Sequence, residues 1–151
     1  MSLKASIDIA APPSAVRAKF LDFASLPTYT HFFESITSPH PGTSLSKGDV
    51  VDVKLADSPS FKGAIQTNTP TLFQWTGSLP FVFTGTHSFR FEPSVEIPGG
   101  TLFVQEEVFS GALGPLMGEN AVARMLGFRE KTRKTWEGFN ADLKGVCEGG
   151  K

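Results

Sequence analysis

The chain has 151 residues, a length that suits one domain with a sizeable core. Apolar residues make up 40% and charged residues 19%, which is the balance of a globular protein and not of a disordered one. The net charge of -1 offers no basic excess for nucleic acid, and no stretch approaches the ~20 apolar residues of a membrane span. We therefore expect one domain, residues 1–151, that binds no nucleic acid and does not insert stably into a membrane.

Cysteine usage and the N-terminal residues bear on the compartment. The single cysteine, Cys147, excludes an intramolecular disulfide and a cysteine cluster for zinc. The first residues contain no long apolar core of the kind that a signal peptide has. We expect a cytoplasmic protein, either a monomer or a homodimer.

Phenylalanine is strongly over-represented among the aromatic residues. There are 14 Phe against 1 Tyr and 2 Trp. Because Phe packs without needing a polar partner, this surplus suits a large dry core or the wall of a dry pocket. Both interpretations stay open at the level of sequence.

A strand and two short helices are predicted first. Residues 4–10 alternate between apolar and polar side chains, as in a half-buried strand. Pro12 and Pro13 then suit the first turn of a helix, which we expect to end between residues 22 and 25. Leu26 begins a second short helical piece that runs to about residue 31.

Six strands are predicted next, from alternation and from the turn residues between them. Two lie between residues 33 and 55, and the others cover 61–67, 71–76, 86–92 and 101–110. Residues 79–85 form either a hydrophobic loop or a strand interrupted by Pro80. Because short turns join sequential strands, we expect an antiparallel meander.

The longest predicted element is an amphipathic helix over residues 120–147. Its charged arc pairs Glu130 with Lys134 in the favourable i,i+4 order. Its apolar arc consists of Met125, Phe128, Thr132, Trp136, Phe139, Leu143 and Val146. A strand-rich chain that ends in such a helix indicates an α+β fold in which the helix lies on the sheet.

Several local motifs support a more specific interpretation. They are residues 22–27 at the helix–helix junction, Phe32 after it, residues 75–77 and 85–89 in the central strands, residues 100–111 in the last strand, and residues 139–144 in the helix. With this element order, the chain resembles the START-like helix-grip superfamily, also called SRPBCC, and within it the small polyketide cyclase/dehydrase-like branch. The resemblance implies a curved antiparallel sheet of about six or seven strands wrapped around the C-terminal helix. Members of the superfamily include enzymes, lipid carriers and hormone receptors, so the fold does not imply one function.

Three polar residues of the last two predicted strands are candidates for chemistry. If these strands form a hairpin, His87 faces Gln105 or lies diagonal to Glu107. Either phase of the last strand points one carboxylate inward, and the resemblance favours the face that carries Gln105 and Glu107. A carboxylate in an apolar pocket must be paired or held neutral. His87 and Glu107 are therefore a candidate catalytic pair for proton transfer, a pair that orients a ligand, or a purely structural pair.

The remaining candidates are ligand contacts. Tyr29 and His31 lie on the short helix that in the family is near a cavity mouth, where Tyr29 alternatively packs as a cover and His31 lies on the surface. Arg129 borders the apolar arc of the long helix, either in contact with an acidic group or with its charge in water. The full candidate set for ligand binding is Tyr29, Phe32, Trp75, Phe89, Phe91, Phe103, Gln105, Phe109, Met125, Arg129, Trp136 and Phe139. Its apolar members equally describe an ordinary core.

Motifs for other chemistries are absent from the sequence. There is no phosphate-binding loop, dinucleotide fingerprint, nucleophile elbow or zinc-protease motif, and the three histidines are scattered. We expect no cofactor and no metal. The expected function is binding of an aromatic, polyketide-like or lipid-like molecule between sheet and helix. The alternatives are a cofactor-independent cyclase or isomerase, and a co-chaperone-like interaction module with an exposed apolar patch and a filled interior.

Overall fold

The computed structural model describes residues 2–56, 60–79, 83–110 and 121–149. The chain order of its elements is β1 (Ser2–Ile9), α1 (Pro13–Leu21), α2 (Leu26–Tyr29), β2 (Phe33–Thr37), β3 (Val50–Leu55), β4 (Phe61–Asn68), β5 (Leu72–Leu79), β6 (Phe83–Pro93), β7 (Thr101–Ser110) and α3 (Ala121–Cys147). Short 3-10 turns occupy Phe23–Ser25 and Gly42–Ser44. The predicted order of a strand, two short helices, six strands and a long helix is confirmed.

The strands form one sheet in the order β1-β7-β6-β5-β4-β3-β2. Every neighbouring pair is antiparallel, so β2 to β7 are a meander and β1 joins its far edge beside β7. The sheet curls around α3, whose Phe139 and Leu143 are buried with residues of the strands. This is the helix-grip architecture that the sequence predicts.

The buried side of helix α3 is the apolar arc that the sequence predicts. Trp136, Phe139 and Leu143 are each at most 2% exposed, whereas Glu130 and Lys134 are exposed. The predicted first residue, Asn120, and the side chains of Met125 and Phe128 lie outside the described part of the structure. In the part that is described, no helix is long and apolar enough to cross a membrane.

A cluster of phenylalanines fills the interior beside α1. Helix α1 directs Phe20 into the middle of this cluster, where it is fully buried. Its ring centre lies 4.5–6.4 Å from the ring centres of Phe23, Phe33, Phe73, Phe89, Phe91, Phe103 and Phe139. Because the rings touch at tilted and edge-on angles, this end of the interior is core and not cavity. We call these eight residues the Phe20 cluster.

Element ends differ from the prediction in two places. Strands β5 and β6 extend to Leu79 and back to Phe83, which pair with each other, so the described residues of 79–85 are strand and not loop. Gly77 and Gly85 face each other in this extension, and two residues without side chains give no apolar alternation to detect. Residues 80–82 lie outside the described part of the chain. Helix α2 ends at Tyr29, two residues earlier than expected.

Candidate functional site

A histidine and a glutamate face each other across β6 and β7. The register places His87 directly opposite Glu107, and His87 Nδ1 lies 3.2 Å from Glu107 Oε1. The predicted register was wrong, because Gln105 lies opposite Phe89 and is therefore diagonal to His87. Alternation fixes which face a side chain takes, but a slip of two residues preserves every face, so the pattern could not fix the register. The predicted inward face of β7 is nevertheless the buried one, since Phe103 and Gln105 are fully buried.

The His87 ring is held between aromatic side chains. The Phe89 ring stacks on it with 4.3 Å between ring centres and 12° between planes, and the Trp136 ring centre is 4.7 Å away. The His87 side chain is 8% exposed and that of Glu107 is 17% exposed. The imidazole is therefore fixed in an apolar environment, while the carboxylate can still be reached.

A chain of hydrogen bonds continues from His87 into α3. His87 Nε2 lies 2.9 Å from Gln105 Oε1, and Gln105 Nε2 donates to Asn140 Oδ1 over 2.7 Å. Gln105 and Asn140 are at most 1% exposed. Sequence reasoning missed Asn140 as a site residue, although an amide between Phe139 and the buried Leu143 on the apolar side of a helix was a visible signal. The polar site thus includes β6, β7 and α3.

The carboxylate of Glu107 occupies space that Gly85 leaves free. A Cβ atom added at Gly85 would lie 2.0 Å from Glu107 Oε2 and 3.0 Å from its carboxyl carbon. Real side chains never approach this closely, so any other residue at this position would displace the carboxylate. Gly85 is the second site residue that sequence reasoning did not identify.

A separate cleft lies between α3 and the residues that flank β2 and β3. Its volume is about 330 Å³, and it is lined by His31, Phe32, Leu55, Ala56, Lys131, Thr135, Gly138, Phe139 and Asp142. Neither His87, Gln105 nor Glu107 lines it. Phe32 packs both on the Phe20 cluster and on a smaller cluster of Leu3, Ala5, Phe109 and Trp136. This one aromatic side chain therefore connects the cleft with the surroundings of the polar pair.

Tyr29 packs at the edge of the core, together with Cys147. Its hydroxyl is buried without a hydrogen-bond partner, and burial raises the pKa of this phenol above its ordinary value. The Lys19 ammonium lies 5.6 Å from the ring centre, as in a cation–π contact. His31, by contrast, is exposed at the rim of the cleft.

The other candidates fall into two groups. Trp75 and Phe89 contact His87 directly. Phe89 also belongs to the Phe20 cluster, as do Phe91 and Phe103. Arg129 donates to the backbone carbonyl of Ser2 over 2.7 Å, which fixes it at the start of β1. The side chain of Met125 lies outside the described part of the structure. The described residues contain no group of three or more His, Cys, Asp or Glu that could hold a metal ion.

Comparison with known proteins assigns the chain to a family. The family model described as "Polyketide cyclase / dehydrase and lipid transport" matches residues 1–144. The chain is similar to the structure of Ara h 8.0201, at 14% identity and a TM-score of 0.67 over 97% of both chains. It is equally similar to a START superfamily protein from Mycobacterium smegmatis, at 14% identity and a TM-score of 0.67 over 97% of both chains. The KanY protein matches at 16% identity and a TM-score of 0.66, over 99% of this chain and 98% of that one. No curated protein sequence matches the chain.

Proposed function

This chain belongs to the family of polyketide cyclases, dehydrases and lipid-transport proteins, and from this membership and the geometry around His87 we propose that it binds a hydrophobic small molecule between the sheet and α3. The molecule is aromatic, polyketide-like or lipid-like, and its polar group lies at the His87–Glu107 pair. The observation that carries the proposal is this ionisable pair, which lies among Trp136, Phe89 and Trp75 and still leaves 17% of the Glu107 side chain exposed.

The energetics of burial support a ligand-binding role. Two ionisable groups in an apolar environment cost free energy, and well-packed apolar residues of similar size are often as stable or more stable. A purely structural role therefore gives little reason for the pair. Small-molecule sites have this composition, with mostly apolar walls and a few placed polar groups.

The two parts of the interior suggest where the ligand lies. The Phe20 cluster fills the part beside α1, so the ligand cannot lie there without displacing packed rings. We place its apolar body beside Trp136, Phe109 and Phe32, which form or contact the smaller cluster on the side of the polar pair.

A second candidate function is proton transfer, as in a cofactor-independent cyclase or isomerase. The 3.2 Å contact between His87 and Glu107 and the fixing of the imidazole by Gln105 favour it, because a general base must be held in position. In that case the pair takes a proton from a carbon beside a ligand carbonyl and returns it to another atom of the same ligand. Unchanged turnover of a demonstrated substrate by His87→Gln and Glu107→Gln would exclude this function.

The interaction-module alternative receives no specific support. In the described part of the chain the large exposed apolar residues are Val50, Val95 and Val108. They lie on β3, on the connection after β6 and on β7, so they form no common patch. We therefore do not propose this alternative.

Native mass spectrometry of protein isolated from its own cells tests the binding function. We expect a stoichiometric mass increase, and extraction should release a compound with a large apolar body and at least one oxygen. The His87→Phe variant, isolated in the same way, should carry less of the compound, because it keeps an aromatic ring but cannot make the polar contact. A bare protein mass that stays bare after incubation with aromatic and lipid-like compounds would contradict the proposal.

A further inference from the structure

One buried donor of the polar site has no partner. Asn140 is 1% exposed, and its Nδ2 atom makes no hydrogen bond, although its Oδ1 accepts from Gln105. An unpaired buried donor costs free energy, so native structures rarely keep one without a reason. Three contacts connect Glu107 to Asn140, and the position of the proton in each of them bears on this free donor.

The amide orientations in the structure imply an assignment of the protons. Gln105 presents its carbonyl oxygen to His87 Nε2, and because an amide oxygen only accepts, Nε2 must carry a proton. On the other side of the ring, Nδ1 faces a carboxylate oxygen, and a hydrogen bond between these two atoms needs one more proton. Whether this proton resides on nitrogen or oxygen, the His87–Glu107 pair is then neutral overall.

A reversed arrangement uses the same atoms. If both amides turn by half a turn, their shape hardly changes but each donor replaces an acceptor. Asn140 Nδ2 then donates to Gln105 Oε1, Gln105 Nε2 donates to His87 Nε2, and the proton on Nδ1 is donated to Glu107. This arrangement holds one proton fewer, and the unpartnered atom of Asn140 becomes Oδ1, an acceptor.

We propose that Glu107, His87, Gln105 and Asn140 form a reversible hydrogen-bond relay. Uptake of one proton by the His87–Glu107 pair turns the free atom of Asn140 from an acceptor into a donor. Asn140 is thus a positioning residue that reports the protonation state of a pair that it does not touch, through the single amide of Gln105.

If the proposed function holds, the relay couples ligand binding to proton uptake. A hydroxyl group can accept from Asn140 Nδ2 or donate to Oδ1, so it favours neither arrangement. A ligand that places a second polar group, a carbonyl or carboxylate oxygen, against Asn140 Nδ2 stabilises the protonated arrangement. Binding of such an oxygenated molecule therefore takes up one proton. A hydrocarbon without oxygen acceptors gains nothing from the proton.

Glu107 and three aromatic side chains surround the His87 imidazole. Strand β7 contributes Glu107, β5 contributes Trp75, β6 contributes Phe89 and α3 contributes Trp136. Among the residues that the structure describes, Glu107 is the one charged group in contact with the imidazole. The pair and the two amides are therefore the groups whose protons must be followed.

Nuclear magnetic resonance of the ligand-free full chain, labelled with ¹⁵N, tests the relay without any ligand. The chain has only three histidines, so His31→Gln and His40→Gln identify the ring signals of His87 by elimination. At low pH we expect both ring nitrogens to carry protons. At high pH we expect the proton to remain on Nδ1 and to leave Nε2, and the side-chain amide signals of Gln105 and Asn140 to shift with the same midpoint.

Asn140→Asp provides the decisive variant. An aspartate carboxylate only accepts, so it holds Gln105 in the observed orientation and the neutral imidazole must keep its proton on Nε2 instead. Asn140→Leu, of similar size and without hydrogen bonds, is the control for packing. The relay is refuted if neutral His87 in the unmodified chain carries its proton on Nε2, or if the Asn140 amide signals do not follow His87. Both results come from the unmodified chain, so they hold even where a variant fails to fold, and they are independent of ligand binding.

Discussion

The Glu107 carboxylate can lie beside His87 because Gly85 has no side chain. The Cβ atom of an alanine at this position would lie 2.0 Å from Glu107 Oε2, so the carboxylate must turn away. Because the end of a flexible side chain can move, we expect Gly85→Ala to fold with a stability loss of only ~1 kcal/mol. The ring nitrogen signals of His87 should nevertheless change, because its acceptor has moved.

The control is Gly145→Ala on α3, where an added Cβ meets nothing within 4 Å. It should leave the His87 signals unchanged. Identical His87 signals in Gly85→Ala and in the unmodified chain would show that the carboxylate does not depend on the space at Gly85.

Cys147 is expected to be a packing residue and not a nucleophile. Burial raises the pKa of its thiol to about 11, from an ordinary value of 9.0. The neutral thiol is thus favoured in the folded protein, and the thiolate fraction at pH 8 is ~100-fold lower than for an unperturbed thiol. Alkylation of the native chain by iodoacetamide should be correspondingly slow and should still accelerate at pH 10, while the rate for the urea-unfolded chain levels off above pH ~9. A native rate that levels off at the same pH as the unfolded one would be inconsistent with a buried thiol.

At the level of single residues, the sequence predicted which face of a strand a side chain occupies but not which residues it contacts. His87, Gln105 and Glu107 were found because polar residues on an otherwise apolar strand face stand out in alternation. The register between β6 and β7 could not be predicted, since a slip of two residues leaves that alternation unchanged. Gly85 acts through its contact with Glu107, which is distant in sequence and which no local pattern contains. The amide of Asn140 on the apolar side of the helix was, by contrast, a local signal that was overlooked.

At the level of elements, Asn68 at the end of β4 joins three segments. Its Oδ1 accepts from Arg17 Nη2 of α1 over 2.7 Å, and its Nδ2 donates to the carbonyls of Gly42 and Leu45 over 3.0 and 2.9 Å. Asn68→Ala removes the hydrogen bonds to Arg17, Gly42 and Leu45. We expect the free energy of unfolding, measured by urea denaturation, to fall by ~2–3 kcal/mol, at about 1 kcal/mol for each bond.

Gln66→Ala is the matched control for Asn68→Ala. The Gln66 amide also belongs to β4 but donates only one long bond of 3.4 Å, to the carbonyl of Ala64. Its loss should lower stability by less than 1 kcal/mol. Equal losses in the two variants would mean that Asn68 does not hold α1 to the connection between β2 and β3.

The elements themselves were predictable where side chains alternate or repeat. The long helix was recognised because its apolar arc persists over several turns, and that arc is the buried one. The ends of β5 and β6 were left open between loop and strand, because they depend on pairing between Gly77 and Gly85, which carry no pattern. Local sequence therefore specified the elements, and the ladder between the strands specified where they end.

At the level of the whole molecule, the interior is divided between a filled part and a polar site. The abundance of phenylalanine predicted either a core or a pocket wall, and the sequence could not decide, because the same side chains build both. The structure assigns Phe20 and its neighbours to core. Phe20→Ala should lower the free energy of unfolding by ~3–5 kcal/mol, since a large cavity would open among rings that cannot all move in.

Val95→Ala is the control for Phe20→Ala, because Val95 is 92% exposed. Its stability should stay within ~0.5 kcal/mol of that of the unmodified chain. If Phe20→Ala loses as little as Val95→Ala, the rings beside α1 do not form a packed core, and the ligand could then occupy that part of the interior.

The central claim is that a hydrophobic ligand lies at the His87–Glu107 pair. Its most direct test is a titration of the ¹⁵N-labelled chain with 2-naphthol, which has a flat apolar body and one hydroxyl group, followed through the backbone amide signals. The account predicts that the largest changes occur at His87, Glu107 and Trp136, which surround the proposed polar end of the ligand. It is contradicted if these three signals stay unchanged while those of His31, Lys131 and Asp142 around the separate cleft move.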